Sequence, residues 1–229
     1  MIIKGIQKTT LLDYPGRVAC TIFTGGCNFR CPFCHNASLV VDPDFSDVIS
    51  EDEVFSFLKK RKGILEGVCI TGGEPLIHKD AFDFIYKVKS LGYPVKLDTN
   101  GSSPETLERL ISEAVIDYIA MDIKNSKEKY ELTAGTSLYT DSVYKSMDLI
   151  IKSSIKYEFR TTVVKELHTS ADLKSISEDI KGAERYFLQC FKDSGNLISS
   201  GYSAYSEDEM RSFLNIVREN VPNAELRGI

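Results

Sequence analysis

Three cysteines stand close together near the start of the chain, in the segment GGCNFRCPFCHN at 25–36. Cys27, Cys31 and Cys34 have the spacing C-x3-C-x2-C. Thiolates gathered in this way bind soft metals or iron–sulfur clusters. A four-iron cluster is usually held by four thiolates, so three would leave one iron able to bind a small molecule, as the open position of a catalytic metal does. The spacing therefore predicts a cluster with one iron that no cysteine binds.

A structural zinc site is the alternative interpretation of these cysteines. Such a site needs four ligands, usually as two separated pairs. The nearest fourth candidate is His35, but it adjoins Cys34, and adjacent residues on a tight loop rarely both reach one ion. The remaining cysteines fall within strand-like runs, where a thiol is most often a small core residue; they are Cys20, Cys69 and Cys190. Zinc is therefore the weaker interpretation.

A second motif, Gly72-Gly73-Glu74-Pro75, follows the strand-like run GVCIT at 67–71. Glycine lacks a Cβ, so the main chain at Gly72 and Gly73 can approach a ligand closely. The carboxylate of Glu74 is a natural acceptor for an ammonium group. This motif therefore indicates a second part of a binding site.

Taken together, the two motifs resemble the radical S-adenosylmethionine (SAM) superfamily. Further stretches narrow the resemblance to the activating proteins of glycyl-radical enzymes, and among these to the anaerobic ribonucleoside-triphosphate reductase activating proteins. The resemblance extends from about Gly5 to Phe191. The stretches that carry it are LLDYPGRVACTIFTGGCNFRCPFCHN, ITGGEP, KLDTNG, AMDIK and YEFRTTVV.

The resemblance implies two cofactors, a 4Fe–4S cluster on Cys27, Cys31 and Cys34, and SAM bound to the open iron. A monovalent cation beside SAM is a further candidate, because matching aspartates help to bind one in the related pyruvate formate-lyase activators. The residues that the resemblance and the strand ends assign to cofactor binding are Phe33, His35, Gly72, Gly73, Glu74, Asp98, Thr99, Asn100, Asp122, Lys124 and Arg160.

Several of these residues have a specific expected role. Phe33 would lie against the adenine, Glu74 and its glycines would bind the amino group of SAM, and Lys124 would face the methionine carboxylate. The candidate cation ligands are Asp98, Thr99 and Asp122.

Structural alternatives stand beside these roles. Asp98 and Asn100 would otherwise form the turn at DTNG, and Arg160 would form a buried ion pair. His35 would be a loop histidine, and Phe33 an exposed loop aromatic or a lid over the cluster. His168 is expected at the surface.

One departure from the related activators concerns the sixth strand. Those proteins place a histidine near its end, in contact with the ligand. This chain has LQCFKD there, with Gln189 and Lys192. The adenosine end of the pocket therefore stays unassigned.

The resemblance also implies the activity. An electron from a flavodoxin or ferredoxin would reduce the cluster, SAM would be cleaved to a 5′-deoxyadenosyl radical, and that radical would take a hydrogen atom from a glycine of the anaerobic ribonucleotide reductase large subunit. Three alternatives remain: activation of another glycyl-radical enzyme of the pyruvate formate-lyase type, a small-molecule radical reaction as in deazapurine biosynthesis, and a zinc-bound interaction domain.

The elements that must position these residues are six strand-like runs, each followed by a helical pattern. Such a series of β-α units predicts parallel strands with right-handed crossovers. A complete eight-unit barrel takes about 250 residues, so a chain of 229 residues favours an α/β fold with an open, partial parallel barrel of about six units in a single domain over 1–229. The predicted strands are 18–23, 67–71, 94–101, 117–124, 156–164 and 184–191, with AELRG as an added edge strand.

Composition limits the classes of partner and the cellular location that we expect. The net charge of −5 is spread without long runs, which argues against nucleic-acid binding, because that needs a basic face. No apolar run approaches the ~18–20 residues of a membrane span. The N-terminal segment lacks the features of a signal peptide. The expected location is therefore the cytoplasm, where thiols stay reduced.

Overall fold

The computed structural model describes residues 1–41 and 46–229, and eight strands of that part of the chain form one sheet in sequence order. The first strand runs antiparallel to the second. The second pairs parallel with the third, the third with the fourth, the sixth with the seventh and the seventh with the eighth. The sheet is open, since its first and last strands each have one neighbour. The strands are β1 (Ile3–Thr10), β2 (Ala19–Thr24), β3 (Gly67–Gly72), β4 (Val95–Thr99), β5 (Tyr118–Asp122), β6 (Lys156–Val163), β7 (Tyr186–Cys190) and β8 (Ala224–Arg227).

Helices alternate with most of these strands. The longer ones are amphipathic and bury an apolar stripe. Two short 3-10 turns lie at Pro75–Ile77 and Lys127–Lys129. The helices are α1 (Ala37–Val40), α2 (Glu51–Lys60), α3 (Ala81–Ser90), α4 (Pro104–Ser112), α5 (Tyr130–Ala134), α6 (Thr140–Lys152), α7 (Ser170–Asp179) and α8 (Glu207–Arg218).

The expected α/β fold with an open, mostly parallel sheet is confirmed. The six predicted strands correspond to β2–β7, and the tail forms β8. The sequence did not predict β1, which adds an antiparallel edge. Its exposure along the strand does not alternate, so it lacks the period of two that marks a half-buried strand.

Several helices begin at signals that lie within a few residues of their first turn. Ser50 and Ser206 each form a capping box with the glutamate three residues on. Pro104 occupies the first position of α4, where its missing N–H costs nothing. A third capping box, at Thr169, begins α7. These signals depend only on near neighbours, so they can be read from the sequence.

The two faces of β3 and β4 differ sharply in character. On one face, four aliphatic side chains are fully buried; they are Val68, Ile70, Val95 and Leu97. Because side chains alternate along a strand, the next residues share the opposite face: Cys69 and Thr71 on β3, Lys96 and Asp98 on β4. The apolar face fixes the register, and the register places these polar groups side by side.

By contacts, the chain separates into two compact units. Unit 1 is Met1–Asn28, Ser38–Thr99 and Ser103–Ile119; unit 2 is Phe29–Ala37, Asn100–Ser102 and Ala120–Ile229. The single domain over 1–229 therefore stays a prediction. No helix in the described part of the chain is long and apolar enough to cross a membrane.

A buried acidic group at the start of α7 gives a test of the fold. Asp172 accepts hydrogen bonds from Thr169 and from Lys129 at 2.6 Å. Burial alone would raise the pKa of Asp172, but the hydrogen bonds of Lys129 and Thr169 outweigh it and lower that pKa. We expect Asp172→Asn to reduce the free energy of unfolding at pH 7 by about 2 kcal/mol, the usual worth of hydrogen bonds to a charged group.

The sign of the pH dependence follows from the lowered pKa. The carboxylate contributes its full stability above the unfolded pKa of about 3.9 and loses it as the pH falls through the folded value. Urea unfolding followed by circular dichroism should show the gap between wild type and variant closing on acidification. Asp208→Asn, at an exposed aspartate in the first turn of α8, is the control for loss of a carboxylate at a helix start. An equal gap at every pH would contradict this prediction.

Candidate functional site

The start of the cysteine segment is joined to the Gly-Gly turn by main-chain hydrogen bonds within unit 1. The N–H of Gly73 donates to Thr24 O at 2.9 Å, and the N–H of Glu74 donates to Gly26 O at 2.9 Å. A Cβ at Gly73 would overlap the carbonyl of Gly26 and would lie 3.4 Å from the Cβ of Cys27. Gly72 has a φ of +123° and is crowded by Thr24. The absence of a Cβ at Gly72 and Gly73 therefore lets this turn lie directly against the main chain next to Cys27.

Glu74 is fixed in place by a buried pair of hydrogen bonds. The residue is 1% exposed. Its Oε1 accepts the N–H of Leu76 at 3.0 Å and the hydroxyl of Thr99 at 2.9 Å. Glu74 thus caps the 3-10 turn that follows the motif and is oriented by the end of β4. This ties two of the predicted residues, Glu74 and Thr99, into one arrangement.

Asp98 lies within β4, and its side chain contacts Lys96 and the neighbouring strand β3. Its Oδ1 pairs with the ammonium of Lys96 and lies 3.7 Å from Cys69 Sγ, and its Oδ2 accepts the hydroxyl of Thr71 at 3.3 Å. Lys96 is 2% exposed, and sequence analysis missed it. Its position two residues before Asp98 in a strand was the available signal, since such residues share a face.

The next part of the cysteine segment packs on α5 within unit 2. The N–H of Arg30 donates to Ala134 O at 2.8 Å. Gly135, which ends α5 at a φ of +73°, leaves no room for a Cβ beside the Arg30 carbonyl. The ring of Phe29, 2% exposed, lies 6.3 Å from the ring of Tyr130. The main chain just before Cys31 is therefore held firmly.

The environment of Cys31 is buried and close to a cation. Burial raises the pKa of the Cys31 thiol to about 11, against the opposing influence of Lys124. Phe33 is also buried, at 4% exposure, so its alternative as an exposed loop aromatic is wrong. Cys34 N–H donates to Cys31 O at 3.0 Å, and this turn brings the two cysteines to neighbouring positions.

The end of the segment rests on the chain that follows β7. The Nε2 of His35 lies 2.7 Å from Lys192 O, so this nitrogen carries the proton that it donates. The ring of His35 stacks on Phe191 with centroids 5.7 Å apart. The N–H of Ser199 donates to Pro32 O at 2.9 Å. These contacts agree with the alternative of a loop histidine that holds the segment in place.

Three charged side chains form a compact group at the ends of β5 and β6 in unit 2. Lys124 Nζ lies 3.0 Å from Asp122 Oδ2, and Arg160 Nε lies 2.8 Å from Asp122 Oδ1. Burial alone would raise the pKa of Asp122, but Arg160 and Lys124 outweigh it and hold that pKa far below its usual range. Asp122 is therefore ionised, and the alternative of an ion pair for Arg160 is confirmed.

His168 lies in the core, so its expected place at the surface is wrong. It is fully buried, and its Nδ1 accepts the N–H of Val164 at 3.1 Å while its Nε2 donates to Lys124 O at 2.8 Å. Burial lowers its pKa, which favours the neutral ring that these bonds require. His168 thus positions the main chain of Lys124. The turn alternative for Asn100 is also confirmed, because its Oδ1 accepts the N–H of Ser102 at 2.9 Å.

The predicted site residues divide between the two units. Unit 1 brings Glu74 to Thr99 and holds Gly73 against the start of the cysteine segment; unit 2 joins Asp122, Lys124 and Arg160. The members in unit 1 are Cys27, Gly72, Gly73, Glu74, Asp98 and Thr99; those in unit 2 are Cys31, Phe33, Cys34, His35, Asn100, Asp122, Lys124 and Arg160.

All six cysteines are thiols rather than disulfides. Cys20 is a buried core residue, as expected, and burial raises its pKa to about 12. Within residues 1–41 and 46–229, no three His, Cys, Asp or Glu side chains converge to bind a single metal ion. A cubane cluster does not call for such a group, since each thiolate binds a different iron. Thiols are soft ligands of the kind that such a cluster takes.

Comparisons with known proteins show the family of this chain. The family model of the radical SAM superfamily matches residues 21–174. A Methanocaldococcus jannaschii protein, provisionally named a glycyl-radical enzyme activating enzyme, is 31% identical over 235 residues, which cover 100% of this chain and 96% of that protein. The GTP 3′,8-cyclase of Helicobacter pylori is 28% identical over 150 residues, or 63% of this chain and 46% of that enzyme.

A solved structure supports the fold. A domain of a pyruvate-formate lyase-activating enzyme from Bacteroides vulgatus aligns with a TM-score of 0.56 at 16% identity, over 71% of this chain and 99% of that chain. At this identity the likeness concerns the fold alone. The family match and the Methanocaldococcus relative show that the chain belongs to the radical SAM superfamily and is a radical SAM enzyme, with a 4Fe–4S cluster and SAM as its cofactors.

Proposed function

We propose that this enzyme activates a glycyl-radical enzyme, and that its target is the large subunit of an anaerobic ribonucleotide reductase. The observation that carries the proposal is the likeness to the Methanocaldococcus protein, which covers nearly the full length of both chains. The choice of reductase rests on the motif resemblance in five stretches taken together, LLDYPGRVACTIFTGGCNFRCPFCHN, ITGGEP, KLDTNG, AMDIK and YEFRTTVV.

In this proposal, Cys27, Cys31 and Cys34 bind the cluster. The chemistry that a bound and reduced cluster would supply there is one electron for the reductive cleavage of SAM to methionine and a 5′-deoxyadenosyl radical. The protein contributes binding, orientation and exclusion of water. Main-chain contacts on both sides of the segment hold the cysteines, through Gly26 in unit 1 and Arg30 in unit 2.

The proposed SAM ligands are the remaining strand-end residues. Glu74 presents a buried carboxylate for the amino group, and Lys124 presents an ammonium for the methionine carboxylate. His168 and Asp122 orient Lys124 through its carbonyl and its ammonium. The other proposed contacts are Phe33, His35, Gly72, Gly73, Asp98, Thr99, Asn100 and Arg160. We further propose a flavodoxin or ferredoxin as the electron donor, and a cytoplasmic location.

A small-molecule reaction is the second candidate function. The match to GTP 3′,8-cyclase over 63% of this chain favours it. However, the chain spans 46% of the length of that enzyme, and the match leaves more than half of the cyclase without a counterpart. Chromatography of GTP incubated with the reduced enzyme and SAM tests this alternative, and a cyclised product would displace the activation proposal.

The test of the main proposal is anaerobic incubation of the reconstituted enzyme with dithionite, SAM and candidate partners. We expect an electron paramagnetic resonance signal of a glycyl radical on the ribonucleotide reductase, with a splitting that collapses when the partner carries Cα-deuterated glycine. A pyruvate formate-lyase serves as the competing partner. A radical on that partner alone would contradict the choice of target.

Cysteine variants separate cluster ligands from other thiols. We expect Cys34→Ser to lose the radical signal and most of the about four irons of a cubane, whereas Cys190→Ser at the end of β7 keeps both. Iron and sulfide analysis after anaerobic reconstitution measures this. One zinc per chain without sulfide would end the cluster interpretation.

Gly73→Ala tests the main-chain contact beside Cys27. The added methyl must displace the Gly26 carbonyl, so we expect the iron content per folded chain to fall below half and the free energy of unfolding to fall by about 2–4 kcal/mol. Gly182→Ala is the control, because its positive φ strains an alanine while a Cβ there has open space. This control should lose stability without losing iron. Equal iron contents in both variants would refute the role given to Gly73.

Lys124→Met tests the proposed carboxylate contact. A hydrogen bond to a charged group is worth about 1.5–3 kcal/mol, so we expect SAM to bind roughly 10–100 times more weakly. The iron content should be unchanged, because Lys124 is not a thiol ligand. Equilibrium dialysis with the reconstituted protein measures the affinity, and Lys127→Met, on an exposed side chain paired with Asp141, is the control. Unchanged affinity for SAM in Lys124→Met would exclude this contact.

A further inference from the structure

The polar face of β3 and β4 carries one buried cation and one anion, Lys96 and Asp98, which form an ion pair. The register pairs Cys69 with Lys96, and one step further along the strands Thr71 and Asp98 share the same face. Lys96 is 2% exposed, and the side chain of Asp98 is 15% exposed. A buried ammonium is tolerated in a protein when an anion pairs with it. Lys96 and Asp98 meet that condition for each other.

The oxygen atoms of Asp98 already accept several donors. Oδ1 pairs with the Lys96 ammonium and lies 3.7 Å from Cys69 Sγ, while Oδ2 accepts the hydroxyl of Thr71 at 3.3 Å. The Lys96 ammonium also lies 3.8 Å from Cys69 Sγ. A monovalent metal cation at Asp98 would have to take the place of this ammonium, because two cations repel each other at such short range.

Asp122, the other aspartate that the sequence assigned to a monovalent cation, is also paired with cationic side chains. In unit 2, Lys124 and Arg160 lie on the two oxygens of Asp122 at 3.0 and 2.8 Å. Thr99, the third candidate ligand, donates its hydroxyl to Glu74 at 2.9 Å. The residues present therefore do not fit a monovalent cation, since each carboxylate already has a cationic side chain.

We propose that the Lys96 ammonium is a built-in counter-ion of Asp98, in the place that a sodium or potassium ion would otherwise occupy, so that the protein needs no monovalent metal ion at this strand end. The proposal goes beyond the proposed function. It concerns the charge balance of β4 and holds for any partner or substrate.

The first experiment compares salts with the reconstituted wild-type protein. Thermal unfolding is followed in sodium, potassium and choline chloride at one ionic strength, and thallium-205 resonance broadening reports direct cation binding. We expect the same unfolding midpoint in all three salts and no saturable broadening. A midpoint that rises saturably with sodium or potassium, or saturable thallium binding, would overturn the proposal.

The second experiment removes the ammonium. In Lys96→Met the Asp98 carboxylate loses its counter-ion, and a small cation can take the place. We expect the midpoint of this variant to rise saturably by about 5 °C in sodium or potassium relative to choline. Lys96→Met combined with Asp98→Asn should show no such rise, because the anion is gone. Lys89→Met, whose partner is Asp117, is the control for loss of a paired lysine elsewhere.

Each result of this series decides the question. A Lys96→Met protein that unfolds at the same midpoint in all three salts would refute the role of the ammonium. If Lys96→Met folds only in sodium or potassium, the proposal is supported. If Lys96→Met folds in none of the three salts, the double variant and the wild type decide. A double variant that folds without salt dependence, together with a wild type that binds no thallium, supports the proposal. Thallium binding by the wild type or by the double variant overturns it. None of these readouts uses radical chemistry, so a wrong assignment of the partner would leave them unchanged.

Discussion

Two main-chain hydrogen bonds hold the start of the cysteine segment, from Gly73 to Thr24 and from Glu74 to Gly26. They require Gly73, because any side chain there would displace the Gly26 carbonyl. Gly25 and Gly26 at this start have no side chain to bury, so the position of the main chain there depends on hydrogen bonds from neighbouring residues. The GGEP motif therefore has a mechanical role beside any role in binding: it fixes the main chain next to Cys27.

Charge is the second constraint on the molecule. The sequence places several acidic groups at strand ends, and the described structure gives each of the two aspartates a nearby cation: Lys96 for Asp98, and Lys124 with Arg160 for Asp122. Such pairs are costly to break when buried, since the remaining charge has no partner. They keep the carboxylates ionised and fixed in direction. A charged ligand such as SAM then meets side chains that are already oriented, which lowers the ordering cost of binding.

The sequence was sufficient for features that depend on near neighbours. The strands β2–β7 follow from runs of strand-forming residues, and the capping boxes at Ser50 and Ser206 follow from residues three positions apart. The features that it missed depend on contacts far apart in the chain. The local pattern places Lys96 on the same face as Asp98, but the contact of Lys96 with Cys69 depends on the register between β3 and β4. No local pattern shows that the ring of His168 is buried between Val164 and Lys124.

The support of the site by main-chain groups explains how the fold can persist at low sequence identity. Hydrogen bonds from Arg30 to Ala134 and from Ser199 to Pro32 use N–H and C=O groups that most residues provide. Only the positions of closest approach, such as Gly73 and Gly135, restrict the residue type. A structure that shares 16% of its residues can therefore keep a similar fold. Side chains outside the positions of closest approach, such as the buried Lys96 beside Asp98, can then set the charge balance of this chain without a change in its main chain.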